Sequence, residues 1–292
     1  MRVAALIVTY NRLVSLQRCL GRVCEMDFHS VVVVNNASSD GTSEWLNTQI
    51  DSRLRVLNLP ENTGGAGGFS AGLGFLINQV DWTHVCLFDD DAWPASDWLR
   101  ILAGEPQADG YCSNVRDLDG NACPMNLPFA RFPRTFWQTL NYLRNPGAWL
   151  PEEGSHTKVA SLTFVGACLT RRWVPFLQRV LEPRLFLYYD DLSAGAMLAN
   201  EGAVLLWCPE LYFNHAVLPK TKISPQKRYF LTRNILWLPM FYRDGLWSPA
   251  VTVLRLAFQL YGAARDAPRR ESIAAWYRGI VDGLRGPDNF TK

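Results

Sequence analysis

The sequence predicts an α/β fold laid out like a Rossmann nucleotide-binding domain, followed by a helical C-terminal part. Three observations carry that expectation. Apolar, β-branched runs alternate with helically spaced segments through the first hundred residues, the pattern of parallel strands joined by crossover helices. One run, Val31 to Val34, is four consecutive valines, as expected for a strand buried on both faces of a parallel sheet. A further run, Val85 to Phe88, stops abruptly at the carboxylates Asp89, Asp90 and Asp91. In such sheets the loops leaving the carboxyl ends of the strands build the ligand crevice.

In chain order, residues 3 to 9 read as the first strand, closed by the turn Tyr10-Asn11-Arg12, and Leu13, Leu16, Leu20 and Val23 carry helical spacing. The valine strand ends in the polar loop Asn35 to Thr42, suited to capping a helix around Trp45. Leu54 to Leu59 is the third strand and Val85 to Phe88 the fourth. Three loops therefore gather at one edge: Thr9 to Arg12, Asn35 to Thr42, and the acidic triplet. If the extended backbone continues through the triplet, Asp89 and Asp91 converge on one side and Asp90 points elsewhere. Two converging carboxylates suit a hard divalent cation, Mn2+ or Mg2+, with coordination sites left for phosphate.

Between the third and fourth strands lies Asn62-Thr63-Gly64-Gly65-Ala66-Gly67-Gly68-Phe69-Ser70-Ala71-Gly72. Read as a loop before an apolar helix, it offers backbone that can approach a diphosphate at the helix N-terminus. From Gly65 it nearly matches a dinucleotide fingerprint, but Ser70 stands where the last glycine belongs. An NAD(P)-dependent oxidoreductase is thus the competing reading; the late position of the glycines and the three acids favour a nucleotide-sugar with metal. Glycines that serve close helix–strand packing are the purely structural alternative.

Residues 104 to 160 are loop-rich, with one helix expected at Phe136 to Leu143. Leu162 to Thr170 reads as another strand, and Val204 to Trp207 as strand-like. A second acidic pair, Asp190 and Asp191, precedes a helical segment ending at Gly202. Either carboxylate can cap that helix; inverting sugar transfer needs one to take the acceptor hydroxyl proton, and Asp191 is the candidate, with Asp190 next. His215 follows Leu211 to Asn214 and can add an imidazole to the metal site. His29, His84 and His156 have no such context.

These motifs resemble the inverting family 2 glycosyltransferases: Val8-Thr9-Tyr10-Asn11-Arg12, Val34 to Thr42 and the acidic triplet match their order and spacing. The glycine stretch with Phe88 to Asp91, Tyr189-Asp190-Asp191, Asn214-His215 and Tyr229 to Asn234 look like the galactofuranosyltransferase branch and its rhamnosyltransferase relatives. The resemblance spans roughly residues 2 to 240. It implies a GT-A fold and transfer from a nucleotide diphosphate sugar to a growing polysaccharide or lipid-linked glycan, with UDP-galactofuranose the expected donor and dTDP-rhamnose the alternative. Asp89, Asp91 and His215 would hold Mn2+ or Mg2+, and Asp191 would be the base. Thr9, Arg12, Asn35, Asn36, Asn62, Gly65, Gly67, Gly68 and Asp90 would bind the donor, Asn35 or Asn36 meeting the nucleobase. The branch usually has Glu two residues after the Asp-Asp pair, where this chain has Ser193. A non-catalytic nucleotide-sugar-binding protein is the remaining alternative.

Composition bounds the rest. Apolar residues at 48% and charged residues at 19% describe a folded chain. Seven cysteines fall singly, with no CxxC pair, which predicts reduced thiols and neither a disulfide framework nor a zinc site. No signal peptide or membrane span is expected, so the protein is placed in the cytoplasm, at the inner membrane's cytoplasmic face if the tail meets lipid. From Lys220 onward 13 Lys and Arg face 5 Asp and Glu, whereas the first 219 residues have 16 against 22. The expected division is a catalytic domain over 1–240 and a basic, aromatic-rich helical tail over 241–292. Arginines interleaved with apolar residues suit contact with anionic membrane, and a helical appendage packed on the catalytic domain fits equally well. The excess charge comes with no recognisable nucleic-acid module.

Overall fold

The computed structural model of the chain describes residues 1–79, 81–217, 222–242 and 246–289. Its sheet runs β3-β2-β1-β4-β8-β6-β9-β5, with β7 paired to β9. Four adjacent strands pair in parallel, β1 (Val3–Thr9), β2 (Ser30–Asn35), β3 (Leu54–Asn58) and β4 (His84–Asp89). The rest comprises β5 (Ala92–Pro94), β6 (Gly110–Arg116), β7 (Thr157–Val159), β8 (Ala167–Thr170) and β9 (Leu205–His215), and farther along the sheet β6 and β9 also pair in parallel. Every residue of β1 is buried, because helices cover both faces of its sheet and no position meets water.

Register gathers the polar strand ends. Thr9 pairs with Asn35, Asn35 with Asn58, and Val8 with Asp89. One face is covered by α1 (Leu13–Cys24), whose Leu16, Cys19, Leu20 and Val23 are buried as the spacing predicts. The other is covered by α3 (Gly64–Ile77). The short α2 (Thr42–Leu46) follows β2, and α4 (Trp98–Gly104) and α5 (Phe136–Arg144) follow the acidic triplet. The chain continues through α6 (Val174–Val180) and α7 (Asp190–Asn200) to the C-terminal helices α8 (Pro225–Phe241), α9 (Pro249–Arg265) and α10 (Arg269–Arg285). The fold is of the GT-A type, a Rossmann-like α/β domain with a helical C-terminal appendage.

Three local expectations are corrected. The glycine stretch is the first half of α3 itself rather than a loop. A Cβ on Gly68 would lie 2.5 Å from Val8, and one on Gly72 2.4 Å from Leu6, so these glycines let the helix sit directly on β1 and β2. The strand expected from Leu162 begins only at Ala167, after Gly166 with φ +76°. The two segments around Cys208 form one strand, β9, with an irregular register against β6 between Ser113 and Asn114.

The tail shares its core with the preceding domain. Val251 of α9 is fully buried in a cluster with Ala66 of α3, Leu185, Ala196 of α7, and Ile235 and Trp237 of α8. Residues 243–245 and 290–292 of the expected tail lie outside the described residues. No helix among the described residues is long and apolar enough to cross a membrane.

Candidate active site

A cavity of about 460 Å³ opens beyond the carboxyl end of β4. Asp89, Asp190, Asp191 and His215 line it, together with Gly65, Tyr188 and Arg255. Two chain segments a hundred residues apart thus put carboxylates on one space, and a third adds the His215 imidazole. Burial, then the neighbouring carboxylates Asp91, Asp90 and Asp190, hold Asp89 well above the usual carboxylate range. A site with this excess of negative charge fits a divalent cation, whose charge would relieve the repulsion.

The triplet does not alternate as an extended strand would. β4 ends at Asp89, and Asp90 and Asp91 form a turn before β5. Asp90 is buried: its Oδ2 accepts from the Thr9 hydroxyl at 2.7 Å, and its Oδ1 lies 3.2 Å from Arg12 Nη1. Arg12 Nη2 pairs with Asp91 Oδ2 at 2.8 Å, so one guanidinium spans both carboxylates. Asp91 Oδ1 in turn lies 3.4 Å from His215 Nε2, and His215 Nδ1 pairs with Asn126 Oδ1 at 2.9 Å. Burial pushes Asp91 upward, but the His215 hydrogen bond and the Arg12 charge outweigh it, and its pKa falls below the ordinary value. Burial raises Asp90 to about 6 despite Arg12. Asp89 and His215 therefore line the cavity, whereas Asp91 stands behind His215, already engaged by Arg12, and the three expected metal ligands are not drawn into one close cluster.

Several expected donor contacts have other partners. Asn35 donates to Asn58 Oδ1 and accepts from the Ser38 N–H. Asn36 donates to Gly64 O and accepts from the Thr63 N–H and hydroxyl. Both side chains are almost fully buried; they tie the loops after β2 and β3 together and cannot present their amides to a base. Asn62 Oδ1 accepts from the Gly64 N–H. Gly67 packs against Thr63, leaving Gly65 as the glycine facing the cavity.

Asp190 and Asp191 occupy the first turn of α7, where the helix dipole favours their charge. Asp191 Oδ1 accepts from the Leu192 N–H at 2.6 Å, and the Phe164 backbone also bonds its carboxylate. Burial nevertheless raises both acids, and repulsion from Asp191 raises Asp190 further. Ser193 is buried and its hydroxyl donates back to Tyr189 O, so no room remains for the glutamate that the resemblance would place there.

Two contributors have roles that the sequence did not show, although Arg233 and Asn234 of the first fall in the Tyr229 to Asn234 motif. The loop before α7 holds Phe186, Tyr188 and Tyr189 at φ between +65° and +72°, a costly conformation for non-glycine residues. Asn234 of α8 fixes it: Nδ2 reaches the carbonyls of Leu185, Leu187 and Tyr188 at 2.8 to 3.1 Å. Arg233 donates to the Arg184 and Leu185 carbonyls and stacks 3.9 Å from the Trp237 ring. The second contributor is Arg255 of α9. It lies 4.0 Å over the Trp247 ring, with Nε buried and lacking a hydrogen-bond partner, and brings positive charge to the cavity. No sequence signal separates Arg255 from the other tail arginines.

Residues 4–147, just under half of the chain, match the glycosyl transferase family 2. Undecaprenyl-phosphate mannosyltransferase of Micrococcus luteus is 40% identical over 134 residues, 45% of this chain and 54% of that protein. The chain thus spans about half the length of this curated relative. Among solved structures, S. aureus TarS in complex with UDP-GlcNAc aligns over 98% of this chain and 81% of its own, at TM-score 0.57 and 16% identity. Mannosyltransferase PcManGT from Pyrobaculum calidifontis, in complex with GDP-Man and Mn2+, aligns over 97% and 86%, at TM-score 0.55 and 19% identity. At these identities the solved structures speak for the fold. Over residues 4–147 the chain carries the glycosyl transferase family 2 pattern, set in a GT-A fold.

Proposed function

We propose that the protein is an inverting, metal-dependent glycosyltransferase that moves a sugar from a nucleotide diphosphate donor onto a lipid-linked or polysaccharide glycan. The observation that carries this reading is the meeting of Asp89, Asp190, Asp191 and His215 on one cavity. Asp89, Asp91 and His215 would hold Mn2+ or Mg2+, which when bound offsets the charge developing on the leaving diphosphate. Asp191 takes the acceptor hydroxyl proton; a pKa raised by burial brings a carboxylate nearer the working pH and makes it a better base. Arg255 attracts an anionic part of donor or acceptor, and Gly65 lets backbone approach it. Arg12, Thr9 and Asp90 hold the turn that presents the metal ligands.

UDP-galactofuranose is the proposed donor, on the motifs shared with that branch; dTDP-rhamnose is the second. The curated relative is named for undecaprenyl phosphate, which supports a lipid-linked acceptor. We place the enzyme at the cytoplasmic face of a membrane, because the outer side of α9 exposes Val253, Phe258 and Tyr261 beside the exposed Trp137 of α5. Arg144, Arg265, Arg269 and Arg270 add exposed positive charge on and beside these helices.

The test is a binding and transfer panel of UDP-galactofuranose, dTDP-rhamnose, GDP-mannose, UDP-GlcNAc and NAD(P), with and without Mn2+. Mn2+-dependent binding of one nucleotide sugar, lost in Asp89→Ala, is expected. Tight NAD(P) binding without metal would overturn the reading, and preference for a donor other than UDP-galactofuranose would overturn only the choice of sugar.

A further inference from the structure

A second cluster lies well away from the acidic cavity. Cys208 sits in β9 seven residues before His215, roughly 20 Å along the strand at about 3.3 Å per residue. Its Sγ, one carboxylate oxygen of Glu105 and one ring nitrogen of His156 all lie within 4.8 Å of one another. His156 Nε2 is 2.5 Å from Glu105 Oε2. The three residues come from separate places: Glu105 just after α4, His156 just before β7, and Cys208 within β9. Among the described residues this is the one group of three or more His, Cys, Asp or Glu side chains drawn so close.

We propose that Glu105, His156 and Cys208 form a binding site for Zn2+ that is separate from the donor-binding metal. The donor set decides the ion. Thiolate, imidazole and carboxylate are the three side-chain ligands zinc takes, at about 2.0 to 2.3 Å in tetrahedral arrangement. Mn2+, Mg2+ and Ca2+ prefer oxygen alone. The Glu105 side chain is only 5% exposed and Cys208 is buried, whereas His156 is 42% exposed. Two ligands are therefore fixed by the core, and the histidine side leaves room for a water as the fourth. An ion pair between Glu105 and His156 accounts for those two groups but not for a thiol within reach of both.

The site would act as a clamp. His156 leads into β7, which pairs with β9 from Thr157↔Trp207 to Val159↔Leu205. Directly beyond β7, Ser161 to Val165 form one wall of the acidic cavity, and the Phe164 backbone bonds Asp191. Metal at Glu105, His156 and Cys208 would tie the start of that wall to α4 and the middle of β9.

The experiment is titration of the metal-stripped full chain with Co2+, read by absorption, followed by displacement with Zn2+. One equivalent with a thiolate-to-cobalt charge-transfer band and four-coordinate ligand-field bands, both abolished by Zn2+, is expected. Cys208→Ser should remove the charge-transfer band, His156→Ala should weaken binding by roughly tenfold or more, and Asp89→Asn should leave the band in place. His156 is half exposed, so its variant remains informative if Cys208→Ser fails to fold. No thiolate band in the unaltered chain, a band that survives Cys208→Ser, or unchanged affinity in His156→Ala would each overturn the proposal.

Discussion

Asn234 Nδ2 donates to the Tyr188 carbonyl at 3.1 Å, so a helix more than forty residues downstream sets the loop that launches Asp190 and Asp191. The same amide reaches Leu185 O and Leu187 O, and Oδ1 accepts from Arg233 Nε and Nη2. Asn234→Ala should leave buried carbonyls unpaired, at about 1–3 kcal/mol, and release the strained backbone at Tyr188 and Tyr189. A lower thermal midpoint with a larger loss in transfer rate than in donor affinity is expected. An unchanged rate in the folded variant would show that the loop holds without Asn234.

Asp191→Asn keeps size and hydrogen bonding but removes basicity. If Asp191 is the base, transfer should fall about 100- to 10,000-fold while Mn2+-dependent donor binding survives. Asp190→Asn should be milder. Rates, donor affinity and thermal midpoint on both variants separate this from a helix-terminal role, which predicts a stability loss of about 1 kcal/mol with activity retained. Near-normal transfer by Asp191→Asn would pass the role to Asp190.

The raised carboxylates have a consequence for stability against pH. Asp89, Asp90, Asp190 and Asp191 all titrate higher in the folded chain than the ordinary 3.8. The folded state then binds more protons than the unfolded one above about pH 4, so stability from these groups falls as pH rises, through about 6 for Asp90 and Asp191 and about 8 for Asp190, with Asp89 shifted in the same direction. Asp91, shifted down, acts oppositely and loses its contribution only as pH falls below 3.8. The metal-free chain should therefore lose thermal midpoint between pH 5 and 8 relative to an Asp89→Asn, Asp90→Asn double variant. Mn2+ should raise the midpoint more at pH 8 than at pH 5. Equal Mn2+ gains at both pH values would contradict the charge argument.

Val251 is fully buried and Arg255 lines the cavity, so removing α9 would expose core and unsettle the site. Point changes on its outer side are the cleaner probe of membrane contact. Val253→Asp with Phe258→Asp, at positions 67% and 51% exposed, should abolish sedimentation with anionic vesicles and leave soluble-donor binding unchanged. Persistent vesicle binding would assign that contact to another surface.

The sequence by itself determined the parallel half of the sheet, since Val31 to Val34 and Val3 to Thr9 are too apolar to sit anywhere but between two helical layers. It also determined where carboxylates leave the sheet, at Asp89 and in the pair Asp190–Asp191, because strand ends and helix starts have local signals. The tertiary structure alone decided which side chains remain free for chemistry. Asn35 and Asn36 look like ligands in sequence, but both are buried and bonded to neighbouring residues, and Asn62 Oδ1 turns back onto the Gly64 N–H. Gly67 and Gly68 look like a phosphate loop, but their space is taken by Thr63 and Val8. Arg255 and the Glu105–His156–Cys208 group had no local signal, and Asn234, though part of the motif Tyr229 to Asn234, showed nothing of its role, because each gains its role from groups dozens of residues away. Periodicity and end signals act over a few residues and survive in the sequence; pairing of polar groups depends on distances that exist only once the sheet has brought its ends together.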